Sequence, residues 1–352
     1  MASSDQRRKR LGIGVTAMIL LILIAGSGFW LYRIIQMPNV KAADNTTIVL
    51  IPTGSSFEDL VAILQKDSLL QGEGGFRKVA NWMKFTDNAV KPGRYEIYSG
   101  WSNRQLISIL RAGIQKPLNV VINNVRTLEE LAGKVSFFLE PDSQALLSEM
   151  INPITLSRHG LDKESALTLY IPNSYEFFWN TNANGFVSRM QEEHDRFWRQ
   201  DSRSEKAQKL DMNEQDVYAL ASIVEKETQA ASERPAVAGL YLNRLNLGMP
   251  LQADPTVVFA VGDFSIRRVL HRHLAIDSPY NTYKVQGLPP GPICMPSISS
   301  IDAVLNAEDH DYLYMCARPD NSGLHAFAST LRGHNQNAVR YRNWLNSRGI
   351  TR

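Results

Sequence analysis

The chain has 352 residues and a formal charge of +3, from 38 Lys and Arg against 35 Asp and Glu. Arg7, Arg8, Lys9 and Arg10 against Asp5 supply that whole excess, so the remainder is near neutral. A nucleic-acid partner, which wants a basic stripe, is thereby argued against. Cys294 and Cys316 could pair, but two cysteines make neither a disulfide framework nor a clustered zinc site.

Residues 11–32 contain no charged side chain. That length crosses a hydrocarbon core of about 30 Å. The basic cluster before it predicts a cytoplasmic N-terminus, with Trp30 and Tyr32 at the far interface. A cleaved signal peptide would need a shorter apolar core and a nearby small-x-small site; 40–42 is a weak candidate. The reading is an uncleaved single-pass anchor with an extracytoplasmic body. Residues 33–46, with Pro38, Asn39, Asp44 and Asn45, read as a polar tether.

Three segments then repeat one pattern of strand, turn and capped helix. The first is 48–51, then Ser56 with Asp59. The second is 95–98, then Ser102 with Gln105. The third is 120–122, then Thr127 with Glu130. Each carries a capping-box signature, and their irregular spacing argues for ordinary α+β packing rather than a solenoid. The stretch 136–205 reads as mostly helical. Its aromatic run 171–179 suits a core or a sugar-stacking platform.

Helices are predicted at 213–231 and 233–247, with Gly248 ending the second. Short strands, long loops and a last helix near 335–347 follow. In the first helix, Asn213 can act as cap and Asp216 lies in the first turn. At about 100° per residue, Val217, Leu220, Ala221, Ile223 and Val224 form one apolar arc. Glu227 falls roughly 50° from its centre and Glu225 roughly 110° away, toward water. A carboxyl group pushed into an apolar wall stays protonated near neutral pH and can serve as a general acid. The bland alternative, two solvated glutamates, stands beside it.

Glycosidases that add water need a second carboxylate. Asp254 is the first candidate and Glu176 another. The loop Tyr280-Asn281-Thr282-Tyr283 offers phenols, an amide and a hydroxyl, which suit a sugar or the loop's own backbone equally. His271 and His273 would share one side of a strand with no third ligand. His325 and His334 could line a polar cleft. No nucleophile elbow, phosphate loop or dinucleotide fingerprint occurs, and no metal or cofactor is expected.

An ordered set of motifs runs through this region. It comprises Ala221-Ser222-Ile223-Val224-Glu225-Lys226-Glu227-Thr228, Glu233-Arg234, Asn243-Arg244-Leu245, 248–256, Tyr280-Asn281-Thr282-Tyr283 and 287–293. His325, Phe327, Thr330, His334 and Asn335 follow. The set resembles the endolytic murein transglycosylase (MltG, YceG-like) family. Ile51-Pro52-Thr53-Gly54 and Lys91-Pro92-Gly93-Arg94-Tyr95 look like that family's LysM-like subdomain.

The resemblance implies an α+β chain with a tail (1–10), a transmembrane anchor (11–32) and a tether (33–46). A LysM-like subdomain (47–115), a connecting region (116–205) and a mixed α+β catalytic domain (206–352) follow. It implies a bacterial inner-membrane lytic transglycosylase that cuts the β-1,4 bond from N-acetylmuramic acid to N-acetylglucosamine and leaves a 1,6-anhydro end. Glu227 would be catalytic. Asn243, Asp254, Thr256, Tyr280, Asn281, Thr282, Tyr283, His325 and Asn335 would bind substrate. Peptidoglycan strands, the cytoplasmic membrane and a wall synthase would be its partners. A non-catalytic wall-binding module, or a muramidase using Glu227 and Asp254, are the alternatives.

Overall fold

The computed structural model describes residues 2–42 and 45–349. The architecture is mixed α+β and divides into two compact units. One takes Met1–Leu118 with Glu176–Asn180, the other Asn119–Tyr175 with Thr181–Arg352.

The first unit begins with one helix, Ala2–Gln36. Its stretch Gly12–Gln36 has a mean hydropathy of 2.2 and is long and apolar enough to cross a membrane. The basic side chains at 7–10 and the residue Asp44 lie outside those described. The stretch 33–46, expected to be a tether, begins inside that helix. The helix runs on to Gln36, and Val40 and Ala42 are buried. Asn103 Nδ2 donates to the Ile34 carbonyl at 2.7 Å, fixing the helix end to the small domain.

Strand Thr46–Ile51 pairs antiparallel with Gly93–Tyr98, in register from Thr46 opposite Tyr98 to Ile51 opposite Gly93. Val49 and Ile51 point inward while Ile48 and Leu50 face out, the period of two expected of a half-buried strand. Helices Phe57–Lys66 and Glu73–Trp82 lie between the strands in sequence, and Asn103–Ala112 follows them. Ser56 with Asp59, and Ser102 with Gln105, form reciprocal capping boxes as the sequence predicts. Leu60, Leu64, Phe76, Tyr95, Ile97 and Leu106 close the core.

The second unit is built round helix Glu214–Glu227. Helices Arg203–Lys209, Arg234–Asn246, Asp254–Val261 and Ile298–Leu305 pack on it. Every residue from Val217 to Val224 is buried, so the expected one-sided arc is an all-round apolar surface. Such a helix belongs at the centre of a domain. Two glycines permit the close packing. A Cβ on Gly291 would sit 2.0 Å from the Glu164 carbonyl oxygen, and one on Gly239 would sit 2.4 Å from that of Glu308. Strand Tyr314–Ala317 pairs antiparallel with His325–Ala328, and helix Leu331–Ser347 follows, starting earlier than predicted because Thr330 caps it. Residues 271–273 sit in a short helix, His271–Leu274, and not in a strand. Cys294 and Cys316 are both free.

Candidate active site

Asn213 and Asp216 exchange hydrogen bonds at 2.9 and 3.1 Å and start the central helix. The helix stops at Glu227, four residues before the predicted end, because Thr228 takes an extended backbone. Ala231–Glu233 then forms a separate 3₁₀ turn, and Pro235 opens the next helix, where its missing N–H costs nothing. That helix ends in a Schellman motif: Gly248 N–H donates to Leu245 O at 3.0 Å and Met249 N–H to Arg244 O at 2.8 Å.

Glu227 is therefore the last helical residue. It borders a cavity of about 330 Å³ also lined by Arg126, Lys226, Asp254, Phe259, Phe264, Arg267 and Ile293. Burial pushes its carboxyl up to about 7. The Asp254 charge adds to the rise, while the Tyr241 hydroxyl, His325 and Arg244 oppose it. The carbonyls at the helix C-terminus also disfavour a carboxylate there. Tyr241 is buried and donates to Glu227 Oε1 at 2.8 Å, holding one oxygen in place.

Glu225 is not solvated, contrary to the wheel. Burial opposes its ionisation, but Ser297 and Ser300 outweigh that and hold its carboxyl below the ordinary range. Ser297 Oγ and Ser300 Oγ both donate to its Oε2 at 2.6 Å, and Arg234 pairs with it at 3.4 Å. The two glutamates, two positions apart, thus carry opposite protonation tendencies. Glu227 is the one of the two that keeps its proton to higher pH.

The other predicted residues divide by what their side chains touch. Asp254 opens helix Asp254–Val261, lines the cavity, and accepts from the Tyr283 phenol at 2.6 Å. Tyr280 packs its ring against Phe259, centroids 4.7 Å apart. Thr256, Asn281 and Thr282, expected to meet sugar, are fully buried. The Asn281 amide donates to the carbonyls of Leu274 and Ile276 at 3.0 and 2.8 Å. Thr282 Oγ1 accepts from the Ala253 amide at 3.0 Å and lies 2.8 Å from Thr256 Oγ1. The threonine bonds pin the segment before Asp254 to the 280–283 turn, and Asn281 ties that turn to the loop at 274–276.

Asn243 is likewise occupied, donating to the carbonyls of His310 and Tyr312 at 2.7 and 3.1 Å. His325 Nδ1 lies 2.8 Å from Glu233 Oε2, which also accepts from Thr228 Oγ1 at 3.0 Å. Asn335 is exposed on the last helix, on a different cavity. Glu176 is exposed on strand Asn173–Phe177 and belongs to the first unit.

Two residues of the site escape the sequence reading. Tyr241 lies fourteen positions from Glu227 on another helix and has no local signal. Glu233 stands in a quoted motif, but its link between Thr228 and the His325 strand is a tertiary feature.

The sequence pattern of the YceG-like family matches residues 49–340, most of the chain. The chain belongs to the YceG-like family. An endolytic murein transglycosylase of Bacillus subtilis (strain 168) is 28% identical to this YceG-like chain over 335 residues, 91% of each protein. One from Streptococcus pneumoniae serotype 2 is 25% identical over 362 residues, covering 94% of this chain, which spans 65% of that longer protein. The crystal structure of a YceG-like protein from Listeria monocytogenes superposes with a TM-score of 0.56 at 28% identity, covering 84% of this chain and 99% of that one.

Tyr241→Phe tests the local electrostatics of this YceG-like site. Losing a donor to the carboxylate removes about 1.5 kcal/mol or more from the charged form. Glu227 then stays protonated to higher pH, and the alkaline limb of the kcat/KM profile moves up by about one pH unit. A limb that stays put would show that the hydroxyl does not tune the acid.

Proposed function

We propose that the chain is a membrane-anchored endolytic lytic transglycosylase acting on peptidoglycan strands. The observation that carries this reading is the Glu227 carboxyl, lifted to about 7 at the rim of a cavity with apolar walls and a cationic edge. The names of the Bacillus and Streptococcus relatives agree with it.

The reaction runs through that one group. Protonated Glu227 gives its proton to the oxygen of the β-1,4 bond between N-acetylmuramic acid and N-acetylglucosamine. The bond to C1 breaks and C1 gains oxocarbenium character. The Glu227 carboxylate then takes the proton of the muramoyl 6-hydroxyl, whose oxygen bonds to C1. A 1,6-anhydro end forms, no water is consumed, and Glu227 returns protonated. A pKa near working pH serves both half-steps, because neither protonation state is costly.

Phe259 and Phe264 offer faces for sugar rings, and Arg126, whose guanidinium lies 4.2 Å from the Phe264 ring centre, offers charge to the muramoyl carboxyl. Helix Gly12–Gln36 would be the anchor, with the N-terminus cytoplasmic by the positive-inside rule. The pair of strands flanking two helices, 46–98, would be the LysM-like wall-binding element. A wall synthase partner rests on the family resemblance alone.

A hydrolytic reading keeps one observation in its favour, since Asp254 lines the same cavity. Its carboxylate is held by Tyr283, which suits orientation better than activation of water. Mass spectrometry of purified strands after digestion separates the readings. The transglycosylase gives ends lighter by one water than those of a hydrolase. Reducing ends would favour the muramidase, and intact strands a binding module.

A further inference from the structure

A second chemical cluster lies near the other end of the helix that carries Glu227. We propose that His159, His194 and Asp195 form a binding site for a divalent transition-metal ion, with zinc as the best match. Each residue contributes one donor atom, and the three atoms lie within 4.8 Å of one another. Asp195 Oδ1 is 3.5 Å from His194 Nδ1 and 3.7 Å from His159 Nδ1. Good hydrogen bonds of this type measure about 2.7–3.2 Å, so these gaps are long. Two donors around a tetrahedral zinc, with bonds of about 2.1 Å, sit about 3.4 Å apart. These two spacings fit an ion between the groups better than contact among them, and the third pair lies within 4.8 Å.

His194 supplies the independent observation. It is 4% exposed, and its Nδ1 is buried with no hydrogen-bond partner among the described residues. A buried imidazole nitrogen without a partner carries a desolvation cost that a bound ion would remove. The opposite nitrogen, Nε2, lies 3.7 Å from Glu214 Oε2, beyond direct hydrogen-bond distance. Two imidazoles and one carboxylate suit zinc among common divalent ions. The adjoining cavity, about 190 Å³ and bordered by Thr168, Asn213 and Glu214, has room for water as a fourth ligand.

The role is structural. His194 and Asp195 sit on helix Ala183–Arg199, and His159 follows helix Pro153–Ser157. Gln215 Nε2 donates to the carbonyl of Gly160 at 2.9 Å, linking the His159 loop to the start of the central helix. An ion would clamp that loop to helix Ala183–Arg199. The sequence reading expected no metal, because the two histidines lie far apart in a chain with no linking motif.

The test uses the full-length chain in detergent, stripped with a chelator and then titrated with zinc alone. Bound metal is counted by elemental mass spectrometry and the thermal midpoint is followed. The expected result is about one zinc per chain and a raised midpoint. His159→Gln, at a partly exposed loop, should weaken zinc by about 100-fold or more, since even outer partners of a ligand cost 10–100-fold. Asp195→Asn serves as the second variant, and His271→Gln, outside the cluster, should bind as the wild type does. Failure of the wild type to retain zinc, or equal affinity in the wild type and both ligand variants, would overturn the site. None of these readouts depends on chemistry at Glu227.

Discussion

Glu227→Gln should lower the rate of strand cleavage by about 10²-fold or more while the chain stays folded. The amide keeps the shape of the carboxyl and can still accept the Tyr241 hydroxyl at Oε1. What it loses is the proton. In the proposed reaction that proton is used twice, first on the leaving oxygen and then in its recovery from the 6-hydroxyl. Among the described residues on the cavity the other carboxyl, Asp254, is exposed and already held by the Tyr283 hydroxyl. Gel filtration and circular dichroism of the variant, beside release of soluble fragments from purified strands, make the comparison. A variant that cleaves at the wild-type rate would remove Glu227 from the chemistry.

The same substitution should stabilise the protein at alkaline pH. The Glu227 carboxyl rises from an ordinary 4.5 to about 7 on folding, chiefly through burial. Below pH 4.5 the group is protonated in both states and costs nothing. As pH climbs through 4.5 toward 7 the unfolded chain releases the proton and the folded chain keeps it, so stability falls. Above 7 the folded state also ionises and the loss levels off. A rise of this size corresponds to at most about 3 kcal/mol. Glutamine carries no such penalty. Near pH 4 the two proteins should therefore melt almost together, and at pH 8 the variant should melt several degrees higher. Subtracting the wild-type curve cancels every other titrating group, His194 included. Melting curves that run parallel at both pH values would mean that the carboxyl titrates normally.

The two expectations are linked. A side chain that destabilises the fold when ionised is tolerated where it serves chemistry. Glu225 shows the contrast. Its carboxylate is bound by Ser297, Ser300 and Arg234 and stays ionised.

Local rules made several features legible. The capping boxes Ser56 with Asp59 and Ser102 with Gln105 need only four residues of chain and form as predicted, while Thr127 caps its helix but Glu130 turns to the Arg126 amide instead. The helical wheel turned Glu227 toward the apolar side, where it is half-buried. It failed for Glu225 because it assumes that one face meets water. The central helix is covered all round, and the polar lining for Glu225 comes from residues more than seventy positions away.

Composition misled at the 280–283 turn for a related reason. Asn281 and Thr282 have the inventory of a sugar site, but Asn281 donates to the Leu274 and Ile276 carbonyls and Thr282 Oγ1 accepts from the Ala253 amide. A polar group satisfied by backbone and one awaiting a ligand look the same in sequence. Asp254 was visible. Tyr241 and the His159–His194 cluster were not, since both arise from contacts between separate helices and loops.

Digestion of purified strands in heavy-oxygen water tests the chemistry most directly. If the substrate's own hydroxyl closes on C1, the new ends carry no solvent oxygen and are short by one water. Heavy oxygen found at C1 of those ends would mean that water is the nucleophile, and the single-carboxyl mechanism would be wrong.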